Sequence, residues 1–264
     1  MKLPNTYPKG FQKILCQTEK GLEEVYVSGK GPNVILLPES PGAHEGVFEL
    51  GRELAKTGLC IHIMILFGDV NTPYSKIKAA KFVTKACLSK EFTMLSRHRR
   101  SPMSERVRAY GRKLYSDRKE PLGIVGMCIT GNFALACLAE PWMLAPVLSQ
   151  PSLPIAIGSN RAKSLNTPES DLHAGATRKE LELMGLRFTH DVMCPKLRFD
   201  SLNKRFNERF ISIEIDSSPK NPYQIPTTAH SVLTVDRITK AGHPTEEALK
   251  SVVRFLHKKL GPEQ

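Results

Sequence analysis

A chain of 264 residues, 41% hydrophobic and 24% charged, has the size and balance of one large globular domain, read here as residues 1–264. Its formal charge of +12 matters for encounter rates, but no zinc-finger spacing or aromatic-interleaved basic motif accompanies it, so nucleic-acid binding ranks last among the function classes. The most apolar run, residues 133–148, is interrupted by Glu140, Pro141 and Pro146 short of the roughly 20 residues of a membrane span, and the N-terminus lacks the apolar core of a secretory signal, which makes the cytoplasm the default location.

Residues 11–30 alternate apolar and polar side chains like an antiparallel hairpin turning at Glu19-Lys20-Gly21. NVILLPE, residues 33–39, is a continuous apolar run, as expected for a strand buried on both faces. Residues 46–58 follow with helical spacing of Phe48, Leu50, Leu54 and Ala55, and Gly58 supplies a stop. CIHIMILFG, residues 60–68, is the next strand, and a long helical region over residues 75–119 is broken near Ser101-Pro102. Much of the positive charge lies in residues 97–119. One reading is attraction of an anionic substrate; the plainer one is a solvated amphipathic helix turning Met103, Val107, Tyr110 and Leu114 inward.

GIVGMC, residues 123–128, is a further strand that runs directly into a helix starting near Gly131. Residues 153–159, 186–191 and 209–216 complete the strand series, residues 160–174 have the polarity of a surface loop, and a last helix starts near Thr245 with Glu246 and Glu247 in its first turn. Strands alternating with helices indicate an α/β fold with a mostly parallel central sheet, helices on both faces and an N-terminal β-hairpin. The six cysteines are scattered without CxxC pairs or metal-ligand spacing, so neither a disulfide scaffold nor a metal site is expected, and no cofactor motif stands out.

One cysteine has a special context. Gly126-Met127-Cys128-Ile129-Thr130-Gly131 matches a nucleophile elbow with Cys in the nucleophile slot. The sharp strand-to-helix turn demands small residues two positions before and after the nucleophile. Gly126 complies, whereas Thr130 places a β-branched side chain in the second slot. A buried structural cysteine is the plain alternative. The following helix start would favour thiolate and offer N–H groups to an oxyanion.

A cysteine nucleophile needs a base, and the base an orienting acid. In the order nucleophile, acid, histidine, Asp191 follows the strand LRFTH and His230 lies between the last strand and the last helix. Asp200 and Asp216 compete as acids. His173, His190 and His243 compete as bases, although the first two break the order and His243 enters the last helix.

LLPESPG, GIVGMCITG, HDVMCP and AHSVL, in that order between about residues 33 and 235, resemble the dienelactone hydrolase family, a Cys-His-Asp branch of the α/β-hydrolases. The resemblance implies an α/β-hydrolase fold and cleavage of small esters or lactones by Cys128, His230 and Asp191. It further implies that Glu39 contacts the resting thiol and helps generate the thiolate, and that the Ser40 and Ile129 backbone N–H groups form an oxyanion hole. Where the family member that opens dienelactones holds its substrate carboxylate with an arginine four residues after the histidine, this chain has Thr234. Substrate-binding residues thus stay unassigned. Thr130 and Thr234 motivate one alternative, a ligand-binding member that has lost catalysis; a promiscuous esterase or phosphotriesterase with a non-dienelactone substrate is another.

Overall fold

The computed structural model describes residues 8–79, 81–82 and 100–261. Eight strands form one sheet: β1 (Gln12–Thr18), β2 (Gly21–Ser28), β3 (Asn33–Leu37), β4 (Cys60–Met64), β5 (Leu122–Met127), β6 (Met143–Ser149), β7 (Leu183–Phe188) and β8 (Phe210–Ile215). Their spatial order is β1-β2-β4-β3-β5-β6-β7-β8. The first two strands are the expected hairpin, its turn closed by Thr18, whose hydroxyl accepts from Lys20 N–H and donates to Gly21 O. β2 runs antiparallel to β4, and every other pairing from β4 through β8 is parallel.

The helices are α1 (Glu45–Lys56), α2 (Pro102–Arg118), α3 (Gly131–Ala136), α4 (Ser159–Lys163), α5 (Glu169–Thr177), α6 (Lys196–Phe206) and α7 (Pro244–Leu260). Successive strand side chains point to opposite faces, and the two cores divide accordingly. Ile35, Leu37 and Ile124 pack with Val107, Tyr110, Phe133, Phe199 and Leu202 of α2, α3 and α6. Val34, Leu36 and Val125 pack with Phe48, Leu54, Val252 and Leu256 of α1 and α7. With both faces covered, β3 and β5 are buried at every position, which explains their unbroken apolar runs.

Two expectations need correction, and one strand was not foreseen. β6 falls at the end of the apolar run that was read only for what interrupts a membrane span. Pro146 lies in register with Ile124 of β5, and the β6–β7 pairing begins one residue later at Val147. Residues 153–159, expected as a strand, are irregular: Asn132 bonds both N–H and C=O of Leu153, and Arg198 takes Pro154 O, leaving no ladder to join. The polar stretch 160–174, expected as a loop, carries α4 and much of α5. The buried face of α5 is Asp171, Leu172 and Gly175, too polar to leave an apolar stripe in the sequence.

α2 begins where the Ser101-Pro102 break implies, with the Ser101 hydroxyl accepting from Ser104 N–H. Val107 and Tyr110 are buried, and Met103 and Leu114 pack partly against the core. Its described cations are engaged: Arg106 with Glu23 at 2.6 Å, Arg108 with Glu140 at 2.7 Å, Arg112 with Glu140 at 2.6 Å, and Arg100 with Asp171. This basic helix is thereby tied to β2, α5 and the loop before β6. Arg97 to Arg99, Cys87 and most of the helix expected over 75–100 lie outside the described residues. Among the described residues, no helix is long and apolar enough to cross a membrane.

Candidate active site

The carboxyl ends of the parallel strands form the edge where open α/β sheets carry their sites. Glu39 and Ser40 follow β3, Cys128 follows β5, Ser152 follows β6, Asp191 follows β7, and His230 lies in the long connection from β8 to α7. Cys128 has φ +55°, a left-handed conformation strained for a side chain of this kind, followed by a single 3-10 turn over Cys128–Thr130 and then the short α3. A Cβ on Gly126 would stand 2.5 Å from Thr130 O and 2.9 Å from the Cα of Gly131, so the turn excludes any side chain there.

Thr130 fits for a reason the sequence did not reveal. Its hydroxyl accepts from Met127 N–H at 2.9 Å and lies 3.1 Å from Leu37 O, joining the ends of β5 and β3. The helix expected to start near Gly131 does so there and is short, six residues long.

Cys128, Asp191 and His230 come together. His230 Nδ1 lies 2.6 Å from Asp191 Oδ2, while Asp191 Oδ1 accepts from Met193 N–H at 2.9 Å. The backbone N–H groups of His230 and Ser231 donate to Asp236, fixing the loop that presents the ring. Nε2 of His230 is buried and has no partner at hydrogen-bonding geometry. Burial pushes the imidazole toward its neutral form, but the charge of the nearby Cys128 sulfur and the bond to Asp191 outweigh this and hold its pKa well above the ordinary value. Cys128 itself is 3% exposed, and its sulfur lies 3.1 Å from Ser152 Oγ.

Glu39 is placed differently from what the resemblance implies. The carboxylate is buried, and four side chains bond it: His44 at 3.3 Å, Gln150 at 3.2 Å, Ser231 at 2.6 Å and Thr234. Cys128 is not among these partners. Burial pushes the Glu39 carboxyl up, yet the bond and charge of His44 and the hydroxyls of Ser231 and Thr234 together hold it below the usual glutamate value. Thr234, standing where an anion-binding arginine was sought, turns its hydroxyl onto Glu39. Tyr74 packs edge-on against His44, and burial with the nearby Glu39, Asp236 and Cys128 charges raises its phenol to about 12.

The competing residues fall elsewhere. Asp200 is an exposed α6 residue paired with Lys196, and Asp216 is exposed and bonded to Ser218 N–H. His173 and His190 are exposed, while His243 caps α7 by accepting from Thr245 N–H. Ser40 follows Glu39 directly, with its hydroxyl on Ala79 O and its backbone N–H making no bond to another described residue. Ile129 is the second residue of the 3-10 turn, where N–H groups lack intrahelical acceptors.

The sequence reading missed Ser152, His44, Gln150, Ser231 and Arg198. The SQPSLP stretch directly after β6 was the available signal for Ser152 and Gln150. Arg198, in the α6 sequence KLRFDSL, carried none. Among the described residues, no group of three or more His, Cys, Asp or Glu side chains is arranged to hold a metal ion.

An elbow cysteine after β5, an acid after β7 and a histidine after β8, on an eight-stranded mostly parallel sheet, define an α/β-hydrolase fold. No protein-family model matches the chain, and no curated protein does. Solved structures that match nearly its whole length include a dienelactone hydrolase candidate from Klebsiella pneumoniae, at 17% identity over 94% of this chain and 98% of that one, with a TM-score of 0.65. An esterase from Pyrococcus furiosus matches at 13% identity over 98% of each chain, TM-score 0.59. A dienelactone hydrolase-like promiscuous phosphotriesterase from metagenomic libraries matches at 13% identity over 96% of this chain and all of that one, TM-score 0.61. At such identities the likeness is one of fold.

Proposed function

We propose that the protein hydrolyses small carboxylic esters or lactones with Cys128 as nucleophile, His230 as base and Asp191 as the acid that orients it. The observation that carries this reading is the divided histidine: Nδ1 is held by Asp191 at 2.6 Å, while Nε2 is buried, unpartnered and close to the Cys128 sulfur. A ring fixed on one side and free on the other is what proton transfer to and from a nucleophile requires. A binding protein that had lost catalysis would have no use for a buried nitrogen left without a partner, whose cost is about 1–3 kcal/mol.

With its proton held on His230 Nε2, the Cys128 sulfur attacks the acyl carbonyl, and the oxyanion accepts from the Ser40 and Ile129 N–H groups. His230 protonates the departing alkoxide, leaving an acyl-thioester. The same imidazole then takes a proton from water, whose oxygen attacks the thioester carbonyl; collapse releases the carboxylic acid and restores the thiolate–imidazolium pair. Uncharged acyl groups suit this site better than carboxylated ones. Glu39, Asp191 and Asp236 surround it with negative charge, Thr234 is bonded to Glu39, and the described arginines of α2 are engaged in ion pairs.

The test is a panel of p-nitrophenyl esters, lactones, carboxylated analogues and a phosphotriester against wild type and Cys128→Ala. The expected result is turnover of neutral esters or lactones that falls about a thousandfold or more in the variant. Cys128→Ala with wild-type activity would overturn the assignment. Phosphotriester turnover that depends on Cys128 would extend the same site to the activity named for one of the structural neighbours.

A further inference from the structure

Two observations around the sulfur lie outside the triad. Cys128 Sγ and Ser152 Oγ are 3.1 Å apart, both residues are buried, and the hydroxyl has no other described partner. Ser152 N–H also donates to Cys128 O at 3.2 Å, so this one residue grips the nucleophile by side chain and by backbone. The second observation is that Glu39, which the resemblance would put at the thiol, is saturated by donors from His44, Gln150, Ser231 and Thr234. To reach the sulfur it would have to break short bonds to Ser231 and Thr234 in a buried setting, where an orphaned carboxylate is costly.

We propose that Ser152 is a positioning residue whose hydroxyl donates to the Cys128 thiolate and holds the resting nucleophile without any movement of Glu39. This rests on Cys128 being the nucleophile. A hydroxyl both donates and accepts, so it can bond the neutral thiol or the thiolate. The bond to the thiolate is charge-assisted and the stronger of the two. Ser152 Oγ, on the loop after β6, is the group that stands within hydrogen-bonding distance of the sulfur. The loop that carries Ser152 is rigidly tied, by Asn132 to both backbone groups of Leu153 and by Arg198 to Pro151 O and Pro154 O.

The experiment follows alkylation of Cys128 by iodoacetamide, read by mass spectrometry of its peptide over about pH 4 to 10, where the rate tracks the thiolate fraction. Wild type, Ser152→Ala, Ser152→Gly and Glu39→Gln are compared, with a thermal melt of each to establish that the folded form is read. Both Ser152 variants keep the backbone N–H and lose the hydroxyl, and their midpoint should rise by about one pH unit, a tenfold loss of thiolate below it. Glu39→Gln should not raise it. A midpoint that falls in the Ser152 variants would mean that the hydroxyl accepts from the neutral thiol, and an unchanged one that it only fills space. A rise in Glu39→Gln as large as that in Ser152→Ala would return the activating role to Glu39. Each of these three outcomes overturns the proposal. The readout is the sulfur's own titration, so it stands or falls separately from whether Cys128→Ala abolishes turnover.

Discussion

Replacing Arg198 with methionine isolates a guanidinium that has no carboxylate partner among the described residues and is fully buried. It donates to five carbonyls: Pro151 at 2.7 Å, Pro154 at 2.6 Å, Met193 at 3.0 Å, Ser164 at 3.1 Å and Arg161 at 3.3 Å. Burial alone lowers the basicity of this group, so the carbonyl dipoles are what compensate the buried charge. Hydrogen bonds to a charged donor contribute about 1.5–3 kcal/mol each, and the three shortest would together bring about 5–9 kcal/mol. Methionine removes the several kcal/mol of desolvation along with the charge and fills most of the volume, leaving a net loss of about 3–5 kcal/mol. For a chain of this size that corresponds to roughly 6–20 °C in Tm. Urea unfolding followed through the fluorescence of Trp142, the single buried tryptophan, measures it directly. Because the same carbonyls hold the Ser152 loop and the turn after Asp191, kcat/KM on a neutral ester should fall at least about tenfold even at temperatures where the variant is folded. A loss below about 1 kcal/mol with unchanged kcat/KM would refute the reasoning, since the five bonds would then be replaceable by water.

Two further outcomes are expected. Thr130→Val keeps the volume of the elbow side chain but orphans the buried Met127 N–H, which should lower stability by about 1–3 kcal/mol and slow Cys128 alkylation; chemical denaturation and alkylation rates check the two effects. His62, held between Tyr110 OH at 2.8 Å and Asn33 Oδ1 at 3.0 Å, has its pKa pushed down to about 4 by burial and by Arg118. The unfolded chain takes up this proton below about pH 6.5 while the folded one resists until about pH 4, so stability should drop by about 3 kcal/mol across that window. His62→Asn should flatten the slope of unfolding free energy against pH in that interval.

Much of the site was legible in the residues. Gly126, Cys128 and Gly131 mark the elbow because its backbone admits almost nothing else, and the order Cys128, Asp191, His230 follows from which strand ends meet at one sheet edge. Strands such as β3 and β5, buried on both faces, announce themselves as unbroken apolar runs, and the β1–β2 hairpin by its alternation. Local chemistry of this kind is written in neighbouring residues. β6 was obscured because prolines stand just before and inside its apolar run, and a proline is rare within a paired strand. α5 was obscured because its buried contact is an aspartate meeting Arg108 of α2 and Arg100 just before that helix.

The sequence by itself determined the α/β alternation, the elbow, and the identity of the nucleophile, acid and base candidates, since each depends on a short-range pattern or on chain order. Only the tertiary structure decided what surrounds them. Glu39 and Thr234, 195 residues apart, are bonded to each other, Ser152 reaches the sulfur across 24 residues, and Arg198 gathers carbonyls from three separate stretches. Buried polar groups must find partners wherever the fold brings them, and those pairings, set by burial and not by proximity along the chain, determine which neighbour of Cys128 is free to act on it.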